Sequence, residues 1–177
     1  MNTTSLIRSA LVAAAAVLSL AGCVSAPPAA PRAAVDTTTP AQRLAAVDAI
    51  AGADDTELSV QPLRDAQVDD LRQTAIAQRK AGDLAAAAEA LNQALLLVND
   101  DPGILQERAD IALLQSDWVR AETLSKKALE LGSRTGPLCR RHWATIEQSR
   151  LARGETQNAV SAHAQIEGCT VPGIKRF

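Results

Sequence analysis

The hydrophobic positions of this chain recur every three or four residues over long stretches, and no segment alternates between apolar and polar residues as a half-buried strand does. Alanine and leucine supply most of these positions, whereas aromatic residues make up only 2% of the chain. Alanine has the highest helix propensity, and its small side chain lets neighbouring helices approach closely. The pattern therefore predicts an all-α fold built from closely packed helices.

The same pattern returns after 34 residues. Each copy has a bulky and a small residue on a first helix, a polar turn, and two alanines on a second helix. The matched pairs are Leu71 and Leu105, Ala75 and Ala109, Gly82 and Ser116, Ala87 and Ala121, and Ala94 and Ala128. A less regular third copy follows an insertion near residues 133–136, with Trp143, Gly154 and Ala159 at corresponding places. This period predicts a repeat architecture.

A 34-residue period with these residues resembles the tetratricopeptide repeat, whose units are two antiparallel helices called A and B. The resemblance implies an array of helical hairpins, with repeats over about residues 68–101, 102–135 and 140–169. The third repeat departs from the family pattern, because Glu147 replaces a small residue and Glu167 replaces a leucine.

The turns between the paired helices carry their own signals. Gly82 suits a left-handed turn conformation, which costs glycine little because it has no Cβ atom. Asp83 and Asp117 follow at the next positions of the first two repeats. We expect both carboxylates to accept hydrogen bonds from the first free amides of the helices that follow.

Residues 1–22 have the features of an export signal. Arg8 is the only charged residue before the apolar stretch Leu11–Leu20, and small residues then lead to Cys23. The apolar stretch is too short to span a membrane as a stable anchor. The sequence therefore predicts a signal peptide that is removed.

The junction Leu20-Ala21-Gly22-Cys23 resembles the lipobox of bacterial lipoproteins. In that family the cysteine is lipidated and becomes the first residue of the mature protein, which implies lipidation of Cys23. Family members kept in the inner membrane often have Asp at the next position, where this chain has Val24. The resemblance therefore implies the outer membrane, with the protein facing the periplasm.

The remaining chain divides into three parts. Residues 23–61 contain a cluster of prolines, a threonine triplet and few bulky apolar residues, which predicts a lipidated N-terminus and flexible tether. Within them, residues 41–51 are compatible with a short helix that has Leu44 and Val47 on one stripe. The organised domain is predicted over residues 62–169, because Pro62 suits a first helical turn. Residues 170–177 form a C-terminal tail.

Charge and residue types limit the classes of function. The chain has 18 basic and 20 acidic residues, and removal of the signal peptide takes away only Arg8, so the net charge moves from −2 to −3. This balance argues against a nucleic-acid partner. The two histidines, His142 and His163, belong to no nucleophile motif, and no glycine-rich phosphate loop is present. We therefore predict no catalytic residue, no cofactor and no enzyme activity.

Two cysteines remain once Cys23 is assigned to lipid. Cys139 opens helix A of the third repeat and Cys169 closes its helix B, so an antiparallel hairpin brings them together. An exported protein favours oxidation, which predicts a Cys139–Cys169 disulfide. Free buried thiols are one alternative, and a zinc site completed by His142 and His163 is another. The preferred interpretation includes no metal.

Helix A lines the concave surface in the tetratricopeptide family and contacts partners there. The resemblance implies exposed contact residues at corresponding places of the three repeats: Arg72, Gln73, Ile76, Arg79 and Lys80; Gln106, Asp110 and Leu113; Arg141, Thr145 and Gln148. The first hypothesis is a membrane-anchored scaffold that binds a peptide segment or envelope protein, of the type that assists pilus, secretion or cell-wall assembly. The alternative is a subunit that self-assembles or caps a complex without a peptide ligand.

Overall fold

A computed structural model of the protein describes residues 36–52 and 65–170. These residues belong to one compact unit that spans Asp36–Phe177. They form seven α-helices and no strand, which confirms the predicted all-α fold class. None of these helices is long and apolar enough to cross a bilayer. The predicted signal peptide, Cys23, Pro62 and most of the C-terminal tail lie outside the described residues.

Three helical hairpins follow a single first helix. The helices are α1 (Pro40–Ala51), α2 (Ala66–Ala81), α3 (Leu84–Leu97), α4 (Pro102–Leu114), α5 (Trp118–Leu131), α6 (Gly136–Ala152) and α7 (Thr156–Gly168). Within the array α2 pairs with α3, α4 with α5, and α6 with α7. Adjacent hairpins pack through α3 against α4, through α5 against α6, and through α4 against α6. The three hairpins thus span residues 66–97, 102–131 and 136–168.

The turns inside the hairpins have the predicted conformation and caps. Gly82 has a φ of 85°, and the Asp83 carboxylate accepts a hydrogen bond from the amide of Ala86 at 2.9 Å. In the second hairpin Ser116 has a φ of 61°, and Asp117 accepts from the amide of Arg120 at 3.1 Å. Both predicted caps are therefore confirmed, because each carboxylate satisfies an amide that the helix itself leaves free.

Alanines occupy the places where helices cross. The fully buried alanines include Ala87, Ala94, Ala109, Ala121 and Ala128. Larger side chains such as Leu91, Ile104 and Leu105 fill the space between the crossings and are equally inaccessible. Leu114 packs against the cores on both sides of α4, so it connects the first hairpin to the rest of the array.

Helix α1 corrects the predicted boundary between tether and domain. Residues 40–51 form a helix that packs on α6 and α4, so the folded unit includes a segment assigned to the tether. Its start is fixed by Thr39, whose side chain accepts from the amide of Gln42 while the Gln42 side chain accepts from the amide of Thr39. Burial of Leu44, Val47 and Ala51 offsets the entropy of ordering this segment.

Candidate partner-binding groove

The first helices of the three hairpins, α2, α4 and α6, are the A helices of the repeats. Helix α1 lies antiparallel to α6 on the side of the array that these A helices form. Near its start, Nη1 of Arg43 donates to the backbone oxygen of Gln148 at 3.3 Å and to its Oε1 at 3.2 Å. At its end, Nε and Nη2 of Arg140 both donate to the backbone oxygen of Ala51 at 3.1 Å. The first turn of α1 therefore meets the last part of α6, and the last turn of α1 meets the beginning of α6.

An apolar strip lies between these two polar ends. Leu44 and Val47 project from α1 into a buried cluster, with Trp118 at its margin. The cluster also contains residues from three helices of the array: Ala112, Leu113, Ala121 and Ala144. The guanidinium carbon of Arg43 lies 5.7 Å from the centroid of the Trp118 ring, within cation–π range. Two large apolar side chains and one aromatic ring thus hold the middle of α1.

Arg141 connects three helices through two carboxylates. Its Nη1 lies 2.7 Å from Oδ1 of Asp48 on α1, and its Nη2 lies 2.7 Å from Oδ2 of Asp110 on α4. Burial raises the pKa of Asp110, while Arg141 and a hydrogen bond from Gln106 oppose that rise. We call the surface of α4 and α6 that α1 covers the groove. The groove therefore holds a buried carboxylate, Asp110, whose partners come from α4 and α6 themselves.

Gln106 is the centre of a buried hydrogen-bond network rather than a surface contact. Its Nε2 donates to Asp110 at 2.7 Å and to Oγ1 of Thr145 at 2.8 Å. Its Oε1 accepts from Oγ of Ser125 at 3.2 Å and contacts Nδ1 of His142 at 2.6 Å. Since the amide oxygen only accepts, Nδ1 of His142 carries the proton there. All of the hydrogen-bonding capacity of the Gln106 side chain is used within the protein.

The expectation that Gln106 and Asp110 lie on an open surface is therefore wrong. Both side chains are buried, because the network occupies Gln106 and Arg141 covers Asp110 beneath α1. Leu113, Thr145 and Gln148 are buried as well, and Arg141 is only partly exposed. The A-helix surface of the second and third hairpins is occupied by a helix of the same chain.

The first hairpin presents the open part of this surface. Ile76 occupies the place on α2 that Asp110 occupies on α4, yet Ile76 is 45% exposed and Asp110 only 3%. Gln73, Arg79 and Lys80 are also exposed on α2. We call the surface formed by Gln73, Ile76, Arg79 and Lys80 the open face.

Arg72, the remaining predicted contact on α2, serves the array. It is partly buried, and its Nε donates to the two carboxylate oxygens of Glu107 at 3.1 and 3.0 Å. A weaker contact at 3.3 Å joins its Nη1 to Asp69. The hydrogen bonds to Glu107 raise the pKa of Arg72. Arg72 thus links α2 to α4, and we exclude it from the open face.

The cysteine pair closes the third hairpin. Cys139 and Cys169 are both buried, are joined in a disulfide, and have Cα atoms 5.6 Å apart, a separation that this bond requires. The amide of Gly136 also donates to the backbone oxygen of Cys169 at 2.7 Å. Sulfur atoms joined in this way do not ligate zinc as thiolates.

The two histidines have separate environments. His142 is fully buried, and burial followed by the nearby charge of Arg141 lowers its pKa to about 4. His163 is exposed, and its Nδ1 lies 3.1 Å from the carboxylate of Glu147 across the third hairpin. Within residues 36–52 and 65–170, no group of three or more His, Cys, Asp or Glu side chains is arranged to hold a metal ion.

A charged cluster centres on Glu122 of α5. Its carboxylate receives Lys126 at 2.7 Å, Arg150 at 3.0 Å and a close contact from Arg153. Burial raises the pKa of Glu122, but hydrogen bonds from these three cations outweigh it and bring the pKa to about 2. The cluster lines an open depression of about 470 Å³ and connects α5 to the third hairpin.

Sequence reasoning missed Arg43, Arg140 and Glu122 as organising residues. The stripe of Leu44 and Val47 was the available signal for α1, since it marks a helix with one apolar face. No comparable signal pointed to Arg140 or Glu122, because surface charges on helices are common in sequences of this composition.

Comparison with known proteins identifies a solved structure with a similar fold. No family model matches the chain, and no curated protein matches it. Among solved structures, the globular C-terminal domain of P. aeruginosa LpoP is similar, with a TM-score of 0.55 and 28% sequence identity. The match covers 59% of this chain and 99% of that domain. The helical array is therefore similar in fold to almost the whole of a domain that occupies the C-terminal part of its own protein.

Proposed function

We propose that this protein is a lipid-anchored adaptor of the bacterial envelope, and that it binds another envelope protein through the open face. The observation that carries the proposal is the contrast between Ile76, which is 45% exposed, and its counterpart Asp110, which is buried beneath α1. A repeat surface that is covered in two hairpins and uncovered in one offers a defined place for a partner.

The chemistry of the open face indicates the kind of partner. Ile76 supplies an apolar centre, and Arg79 and Lys80 supply two positive charges on its C-terminal side. Both charges are exposed, so they contribute to association rate and selectivity more than to burial energy. The complementary segment has an apolar residue next to acidic residues.

The location rests on the sequence of the N-terminus. The junction that ends at Cys23 supports lipidation, and Val24 supports the outer membrane and its periplasmic face. Replacement of Cys23 with Ser should abolish lipid labelling and release the protein from membranes. A Cys23→Ser protein that is still processed and membrane-bound would contradict this part of the proposal.

The similarity to the C-terminal domain of LpoP supports an N-terminal segment followed by a helical domain as the plan of this protein. A lipidated segment that carries a repeat domain fits assembly of a pilus, a secretion apparatus or the cell wall. The role we propose is non-catalytic, since Gln106 and its neighbours in the groove hydrogen-bond to one another.

A self-assembling subunit is the second candidate function. Three large leucines near the ends of α3 and α5 are exposed, Leu96 at 85%, Leu97 at 50% and Leu131 at 47%. Apolar side chains at this exposure favour contact with another protein surface. Analytical ultracentrifugation of the purified protein separates the candidates, because self-assembly raises the mass with concentration in the absence of any partner.

Crosslinking in cells tests the adaptor proposal. A photoreactive residue in place of Ile76 should capture a partner, whereas the same residue in place of the exposed Val160 on α7 should not. The double variant Arg79→Glu and Lys80→Glu should lower the yield at position 76. Lys127→Glu with Arg134→Glu makes the same charge change at exposed positions outside the open face and serves as the matched control. Equal yields from both double variants would refute the open face as the binding site.

A further inference from the structure

The contacts of α1 resemble those of a bound ligand. We propose that α1 is a replaceable occupant of the groove over α4 and α6, and that a partner helix with the same pattern of side chains takes its place. This inference goes beyond the adaptor function proposed above, because it names a second binding site, a second class of partner segment and a contact that regulates access to the groove.

The first observation is the polar character of the interface. Charged or polar groups form its two ends, through Arg43 with Gln148 and Arg140 with the carbonyl of Ala51. A further ion pair joins Asp48 to Arg141 at its flank. Interfaces between separately folding units have this mixed character, whereas the core around the first hairpin is built from buried alanine, leucine, isoleucine and valine.

The second observation is that α1 depends on distant parts of the chain. Its bonded partners Gln148 and Arg140 lie 105 and 89 residues away in sequence. A helix of 12 residues is marginal alone in water, so the helical form of α1 depends on docking. Release from the groove and loss of helix in α1 are therefore one event.

The third observation is that the groove keeps its own polar contacts without α1. Asp110 retains Arg141 and Gln106, and Gln106 retains Thr145, because all four belong to α4 and α6. Departure of α1 uncovers a surface that is already organised. Such a surface binds an incoming helix without first rearranging.

The contacts that α1 makes in the groove define which helices the groove can bind. An incoming helix needs a basic residue at the place of Arg43, apolar residues at those of Leu44 and Val47, an acidic residue at that of Asp48, and a small residue at that of Ala51. These places lie on one helical face at spacings of one, four, five and eight residues. The helix must also end there, since Arg140 binds a terminal backbone oxygen.

A peptide-binding experiment tests the proposal with the complete chain in detergent. In a Val47→Asp variant the new carboxylate cannot enter the apolar strip, so α1 should leave the groove while the hairpins stay folded. A fluorescent peptide of residues 37–52 should then bind this variant, as measured by anisotropy. Wild-type protein should bind the peptide at least about tenfold more weakly, because its own helix competes. The same peptide carrying Val47→Asp is the matched control.

Several outcomes would overturn the proposal. These are a folded variant that does not bind the peptide, equal binding by wild type and variant, and cooperative loss of the whole array in the variant. Hydrogen exchange on the wild-type protein gives a measurement that does not depend on folding of the variant. Amides of α1 should be at least about tenfold less protected than those of α4 and α6, and equal protection refutes a replaceable helix.

The open face gives an independent control. Arg79→Glu with Lys80→Glu should leave peptide binding by the Val47→Asp variant unchanged, because neither residue contacts the groove. Failure of the peptide experiment therefore refutes replacement of α1 alone. Failure of crosslinking at position 76 refutes the open face alone.

Discussion

Gly82 and Ser116 occupy the same place in the first and second hairpins, and both have a positive φ, of 85° and 61° respectively. Glycine adopts this left-handed conformation freely, whereas a residue with a Cβ atom is strained there. The second hairpin thus forms the same turn as the first with a residue less suited to it.

We predict that Ser116→Gly stabilises the protein by about 1 kcal/mol, because it removes this strain. The reverse test is Gly82→Ala, which should destabilise it by about 1 kcal/mol. A Cβ atom at Gly82 would have no neighbour within 4 Å, so the cost comes from the backbone alone. Urea unfolding of both variants gives the two free energies, and a Ser116→Gly protein that is less stable than wild type would contradict the explanation.

We predict that loss of the Cys139–Cys169 disulfide destabilises the third hairpin. The sequence separation of 30 residues corresponds to roughly 3–4 kcal/mol in the chain-entropy model. The double replacement of both cysteines with alanine, or reduction of the wild-type protein, should lower the melting temperature. Wild-type protein and the double variant should melt alike under reducing conditions. If non-reducing peptide mapping of this protein, isolated from cell envelopes, found free thiols at Cys139 and Cys169, the result would contradict the bond.

His142 should make stability depend on pH. Its pKa is about 4 in the folded protein and near 6.5 when unfolded, so the unfolded state binds more protons between these values. The free energy of unfolding should be unaffected by this group above pH 6.5 and should fall as pH drops towards 4. The total loss is on the order of 3 kcal/mol.

His142→Asn isolates this effect, because the Asn amide can donate to Gln106 without titrating. Asp110 acts in the opposite direction, since its raised pKa favours the folded state on acidification. Asp110 is present in both wild type and the His142→Asn variant, so the difference between their pH profiles reports His142. Parallel profiles from pH 7 to 4 would show that His142 makes no contribution.

Glu122 should be the most consequential carboxylate of the charged cluster. Glu122→Gln leaves Lys126, Arg150 and Arg153 facing a neutral amide, and we expect a loss of about 1–3 kcal/mol. Glu130→Gln on the exposed side of α5 is the matched control and should change stability by less than about 0.5 kcal/mol. Equal effects of the two variants in urea unfolding would contradict a special role for Glu122.

The hairpins were predictable because their determinants are local. The 34-residue period reflects helix lengths and turns, and small residues such as Ala87 and Ala121 mark the crossings directly. Asp83 was recognisable as a cap because its role involves an amide only three residues away. Signals of this kind are present in a single sequence.

The groove was less predictable because it depends on distant partners. Docking of α1 is decided by Arg43 and Gln148, which are 105 residues apart, and a stripe of two large apolar residues does not specify where a helix docks. The family resemblance predicts Gln106 and Asp110 on the surface, because it places these helix A positions on an exposed concave side. Their burial depends on hydrogen bonds to side chains of other helices, such as Thr145 and His142, and only the folded structure brings these side chains together.

The docking of α1 would also set the length of the tether between membrane and domain if the lipid anchor proposed at Cys23 is present. If Cys23 carries the lipid, the residues from Val24 to Thr39 span at most about 55 Å, whatever their conformation. Release of α1 would extend the tether to residue 64, and its maximum span would then be about 140 Å. A helix that takes the place of α1 would thereby let the array reach sites more than twice as far from the bilayer. Crosslinking of the Val47→Asp variant to envelope proteins that lie at known distances from the bilayer would measure this change.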